Sequence, residues 1–268
     1  VTLSGTNIYE LLLKELFRRI AGGRRMRKEK PLSPVLGVAL AALVITVAVG
    51  GRGASARRSN AEGVQALGPD LSGSYRLAAA TDPEGGSYGG TVDISRLGAA
   101  YRVAWTVTGG GSYEGVGVQM DDALAIGWGS GRANRGVVVY RIQGGRLSGK
   151  WTITDMKGAL GTEELEGAPG LQGSYRIVHS TVPGAARGYA GTVNITASGD
   201  TYIVEWRLAS GENYKGVGVR QGDLLAVGWS PGRGSVAVAT YRQKGAVLKG
   251  VWAIPGEKRL GAETLSKG

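Results

Sequence analysis

The sequence predicts an all-β chain: two tandem eight-stranded antiparallel up-and-down β-barrels behind an N-terminal helical leader, with a pair of β-sandwiches as the alternative. Three observations lead there. Residues 72–165 repeat over 172–265 at an offset of 100 or 101, the self-similarity expected of a duplicated unit. Within each copy, apolar residues alternate with polar ones, as in half-buried strands. The chain also carries 48 Gly without a collagen-like period, which suits many tight turns between short strands.

The leader comes first. Val35 to Gly51 is an uncharged run of 17 residues, preceded by Arg27, Lys28 and Lys30 and followed by Ala54-Ser55-Ala56. Positive end, apolar middle and small-residue site form the layout of a secretory signal, assigned to residues 26–56 with cleavage after Ala56. An uncleaved membrane anchor through residues 35–51 is the rival, since a spanning helix needs about 20 residues. Both place the repeats outside the cytoplasm: periplasmic, extracellular, or anchored and facing outward. Residues 1–25 read either as an upstream region translated ahead of Met26 or as a cytoplasmic helix with Asn7 and Glu10 as a capping box. Residues 57–71 read as a linker.

Charge follows the leader. The chain has a formal net charge of +11, but residues 1–60 hold 11 Lys and Arg against 3 Asp and Glu. The remainder is only mildly basic and shows no clustered basic stretch, so no nucleic-acid partner is expected. With no Cys, disulfide frameworks, thiolate catalysis, Cys-based metal sites and a lipoprotein anchor are excluded.

The first copy, assigned to 72–166, is expected to hold strands near 73–81, 88–96, 100–108, 112–119, 123–129, 136–142, 146–153 and 160–165. The second copy, 167–268, should repeat them as a second barrel. Tyr101, Val103, Trp105 and Val107 alternate with polar neighbours, as do Tyr202, Val204, Trp206 and Leu208. Gly109-Gly110-Gly111, Asp121-Asp122, Gly144-Gly145 and Ser198-Gly199-Asp200 supply hairpin turns. Eight consecutive short strands invite closure, which removes exposed edges. A single barrel made jointly by both repeats ranks behind the sandwich.

The motifs Gly-x-Tyr (73–75), Tyr-x-Val-x-Trp (101–105), Gly-Val-Gly-Val (115–118), Leu-Ala-x-Gly-Trp (124–128) and Leu-x-Gly-x-Trp (147–151) recur in the second copy. Together they resemble an uncharacterised family of secreted bacterial β-domains, over residues 72–265. In strand count and length each copy is also similar to calycin-like barrels of the avidin and lipocalin type. That likeness implies an architecture able to hold a ligand and carries over no ligand-binding residues. Gly115-Val116-Gly117 and Gly216-Val217-Gly218 are read as bulges or close strand approaches, not phosphate loops.

Candidate chemistry is sparse. The one His, His179, faces Ala79 in the other copy, so no triad can be built in the first repeat. No metal-ligand spacing occurs, no cofactor is implied, and no catalytic residue is assigned. Every Trp falls into a matched pair: Trp105, Trp128 and Trp151 with Trp206, Trp229 and Trp252. These six, with Tyr101 and Tyr202, are the candidate ligand-binding residues, because Trp and Tyr serve both cores and cavities. Arg76 with Glu163 and Arg176 with Glu263 are expected as ion pairs at each barrel's seam.

The expected function is that of an exported, non-catalytic binding protein holding a small apolar or aromatic ligand, or an extracellular protein partner. A structural or adhesive envelope protein with solid barrels is the alternative. A carboxylate-based hydrolase, which needs two carboxyls across a cleft, comes third.

Overall fold

A computed structural model describes residues 68–130, 134–167, 169–231 and 235–268. The leader segments 1–25 and 26–56, the apolar run 35–51 and most of the linker lie outside the described residues. The first repeat supplies β1 (Gly73–Thr81), β2 (Gly90–Leu97), β3 (Ala100–Val107), β4 (Ser112–Met120), β5 (Ala123–Gly129), β6 (Gly136–Gln143), β7 (Arg146–Ile153) and β8 (Gly161–Gly167). The second supplies β9 (Gly173–Thr181), β10 (Gly191–Ser198), β11 (Thr201–Leu208), β12 (Asn213–Gln221), β13 (Leu224–Trp229), β14 (Ala237–Lys244), β15 (Val247–Ala253) and β16 (Gly261–Lys267). All eight expected strands of each copy are present, and they form two closed antiparallel barrels.

The barrels do not follow the repeat boundary. One barrel per repeat, 72–166 and 167–268, is corrected by the strand order. The first barrel takes β1–β5 and β14–β16, and the second takes β6–β13. The second barrel is therefore a continuous meander inserted between β5 and β14 of the first. Each repeat gives five strands to one barrel and three to the other.

Duplication makes this exchange inexpensive. Strand β5 pairs with β14 in the register Ile126↔Ala239, and β13 pairs with β6 in the equivalent register Val227↔Val138. Because β6 and β14 have matched sequences, either can close either barrel with the same ladder. A charge network spans the exchange. Arg141 pairs with Asp223 at 2.6 Å and with Asp121. Arg242 pairs with Asp122 at 2.8 Å and Asp223 at 2.6 Å. The matched arginines thus tie the β4–β5 turn of the first barrel to the β12–β13 turn of the second.

The exchange also explains why the middle strands are apolar on both faces. Val116, Val118 and Ala125 of the first barrel pack outward against Val139, Val217 and Val219 of the second. Strands covered on both sides read as continuous apolar runs, unlike the alternating β2 and β10. Since the protein has no native Cys, cysteine trapping can read the topology directly. Ile126→Cys with Ala239→Cys should oxidise to an intrachain disulfide, because directly opposed residues bring Cβ atoms within about 5 Å. Ile126→Cys with Val138→Cys, the pair that one barrel per repeat would join, should stay reduced on non-reducing electrophoresis.

Glycines inside the strands make room for aromatic rings. Trp252 lies across from Gly261, where a Cβ would stand 2.1 Å from the indole. Trp151 covers Gly161 in the same way, and Tyr140 covers Gly149. In Leu-x-Gly-x-Trp, then, all three named residues face inward, the Gly yielding its volume to a Tyr ring. Gly115 and Gly117 likewise lie in uninterrupted β4 pairing, so close approach is their use. The bulges fall elsewhere, between Leu77 and Ala79 and between Glu164 and Leu165. At the opposite end, Tyr75 donates to the Leu71 carbonyl at 2.8 Å and Tyr175 to that of Gly170.

Candidate functional site

Each barrel places three indoles near the end where β7 runs into β8, or β15 into β16. In the first barrel these are Trp105, Trp128 and Trp252, with Trp128 5.9 Å from Trp252 and 6.0 Å from Trp105. The second gathers Trp151, Trp206 and Trp229 at 6.2 and 6.3 Å. All six predicted Trp residues therefore face barrel interiors. The grouping by repeat is corrected: Trp151 joins the second-copy indoles, and Trp252 joins the first-copy ones. Tyr101 and Tyr202 do not line these cavities. Tyr101 is buried toward the other end, its hydroxyl 2.9 Å from Gln119 Oε1. Tyr202 packs against the second barrel's core and also borders a separate groove outside the barrel with Lys215 and Glu257.

The two interiors differ in free space. The second barrel holds a cavity of about 230 Å³, lined by Tyr140, Trp151, Glu163, Tyr189, Trp206, Tyr214 and Trp229 and rimmed by Met156, Val182, Leu208 and Pro231. The corresponding space among the described residues of the first barrel is about 10 Å³. Eight strands leave an interior that side chains can fill or that can take one small ligand, and this chain contains both outcomes.

The expected ion pairs are corrected. Glu163 and Glu263 point into the barrels, 1% and 6% exposed, while Arg76 and Arg176 lie exposed on the outside. Arg176 approaches Glu166 at 3.7 Å instead. The period of two explains this, since Gly161, Glu163 and Leu165 share the inward face of β8.

In the first barrel, Glu263 is saturated with donors. Tyr241 and Trp105 Nε1 donate to Oε2, the latter at 3.4 Å. The Tyr88 hydroxyl donates to Oε1 at 2.5 Å and accepts from Trp252 Nε1 at 2.9 Å. In the second barrel, Tyr140 and Trp206 Nε1 serve Glu163 Oε2 in the same way, but Oε1 has no hydrogen-bond partner. Tyr189, the counterpart of Tyr88, lies close enough to feel the carboxyl. Trp151 donates to the Thr162 carbonyl at 3.4 Å rather than to a tyrosine. The indole Nε1 of Trp229 is also buried without a partner.

Burial pushes both carboxyls above the usual range, while the surrounding tyrosine and tryptophan donors pull the other way. Burial, then the Glu163 charge, raises Tyr140 and Tyr189. Among the described residues no cluster of His, Cys, Asp or Glu is arranged to hold a metal, and His179 is exposed on the outer face of β9. A cavity of about 320 Å³ outside the barrels, between Tyr202, Lys215 and Val236, contains none of the buried unpaired polar atoms. The glutamates and Tyr140, Tyr189 and Tyr214 were legible as site residues only through strand parity, because the matched-pair comparison marks them without giving their direction.

No protein-family model, curated protein or solved structure matches this chain.

Proposed function

We propose that this chain is an exported, non-catalytic binding protein whose second barrel holds one small, mostly apolar ligand. The observation that carries the reading is the aromatic-lined cavity of about 230 Å³ with two unpaired buried polar atoms, Glu163 Oε1 and Trp229 Nε1, on residues of its wall. Apolar cavities of about 150 Å³ accept a benzene-sized ring, so this one suits a single ring with a short substituent. The small volume argues against lipids and large cofactors.

Two further features support binding over catalysis. Among the described residues Glu163 is the one carboxyl lining the cavity, whereas carboxylate-pair hydrolysis needs two. Its hydrogen-bond partners are the Tyr140 hydroxyl and the Trp206 indole, and among the described residues no Ser, Thr, Lys or His lines the cavity. Export rests on the signal-like run at 35–51. The solid-scaffold reading retains a specific observation in its favour, the filled interior of the first barrel.

Native mass spectrometry of the chain purified from its own host tests the proposal. One small molecule per chain, released on denaturation, is the expected result. The neutral probe phenethyl alcohol should also change Trp fluorescence, and Leu208→Trp, which fills the mouth, should abolish the response. A bare chain whose fluorescence ignores the probe would leave the scaffold reading in place.

A further inference from the structure

The two barrels are two versions of one site, and their difference specifies the missing partner. Trp252 Nε1–H can only donate, so Tyr88 Oη must accept from it and direct its own proton to Glu263 Oε1. Glu263 consequently accepts from every neighbour it has, Tyr88, Tyr241 and Trp105. In the second barrel the same two donors hold Oε2 of the equivalent Glu163. Its Oε1, in a residue 1% exposed, is buried without a hydrogen-bond partner, and Glu163 lines the cavity.

The change has a source in sequence. Eight residues, 82–89, connect β1 to β2, while nine, 182–190, connect β9 to β10. Asp82 folds the shorter loop by accepting from the amides of Glu84 and Gly86, both at 2.8 Å. Val182 stands in its place and lines the cavity. Without that turn, and with one residue more, Tyr189 stays near the Glu163 carboxyl without coming within hydrogen-bond distance of Oε1, and Trp151 donates to the Thr162 carbonyl instead. Glu163 Oε1 thus lacks the donor that Tyr88 gives to Glu263 Oε1.

Resting on the binding reading above, we infer that the second barrel takes a small aromatic or apolar amine in its protonated form, the ammonium donating to Glu163 Oε1 and lying among the rings of Trp151, Trp206, Trp229 and Tyr189. A cation supplies the donor that the empty position needs. It also supplies the charge that offsets an ionised carboxyl in an apolar wall. Aromatic faces around an ammonium add cation–π attraction that a neutral hydroxyl does not receive. An anion is disfavoured by the same carboxyl.

The experiment compares three isosteric probes on the full chain by calorimetry and Trp fluorescence: phenethylamine, phenethyl alcohol and phenylacetate. Phenethylamine should bind about tenfold tighter than phenethyl alcohol, and phenylacetate should be weakest. Glu163→Gln should remove the amine's advantage while changing alcohol binding by less than about threefold. Glu263→Gln should leave the amine's advantage in place. Equal or tighter binding of the alcohol to the wild-type chain would overturn the amine assignment and leave the ligand-carrier reading standing. Failure of all three probes, with host-purified protein bare, would overturn both. The wild-type ratio decides the matter even if Glu163→Gln does not fold.

Discussion

Val219→Asp is expected to destabilise the protein by about 3–5 kcal/mol, the cost of an unpaired carboxylate forced into an apolar interior. Val219 lies on the outer face of β12, yet it is fully buried, because that face is packed on the first barrel against Val116, Val118 and Ala125. For a domain of this size the loss corresponds to a fall in Tm of about 10 °C. Val219→Ala, which only trims volume, should cost about 1–2 kcal/mol. Val178→Asp is the control, since Val178 on β9 also points outward but is 39% exposed, and its change should stay within about 0.5 kcal/mol. Thermal melts of the three variants provide the measurement. Similar small effects at 178 and 219 would mean that the interface between barrels is open to water.

Stability should fall as pH rises above the ordinary carboxyl range, through Glu163 and Glu263. Both carboxyls have folded-state pKa values raised above the ordinary 4.5, chiefly by burial. The folded state therefore binds their protons more tightly than the unfolded chain does. This stabilisation is fully present below pH 4.5 and is lost as pH climbs through the raised folded-state values. One proton per glutamate limits each contribution to a slope of about 1.4 kcal/mol per pH unit. Asp223 works in the opposite sense and in another window. Desolvation raises it, but a backbone hydrogen bond, the hydrogen bond and charge of Arg242 and the charge of Arg141 together outweigh that and hold it below 3.8, so its contribution disappears only at more acid pH. Denaturant titrations from pH 4.5 to 8 should show the decline in the wild-type chain and a flatter profile in the Glu163→Gln, Glu263→Gln double variant. Gln keeps an acceptor for the Tyr140 and Tyr241 hydroxyls, so the variant removes the proton linkage with little change in packing. An unchanged slope would assign the pH dependence to other groups.

These expectations separate what is local from what is not. The strands, their turns and the pairing of every Trp are written in the repeat, since alternation and turn chemistry act over a few residues. The inward direction of Glu163 and Glu263 is in the sequence as well, through the parity that each shares with Leu165 and Leu265. Partnership with Arg76 and Arg176 satisfies charge complementarity but not that parity, since the arginines lie on the outer face. The depth of their burial, and the donors that gather around each carboxyl, come from strands far apart in the chain.

The sequence by itself determined the duplication, the sixteen strands and the aromatic content of the interiors, because these follow from backbone periodicity and side-chain volume. Only the tertiary structure decided which strands close which barrel. The repeat makes β6 and β14 equivalent partners for β5 and β13, so local rules cannot choose between them. It also decided which barrel stays open: a single extra residue between β9 and β10, with Val182 in place of Asp82, sets the position of one tyrosine hydroxyl against one buried carboxyl.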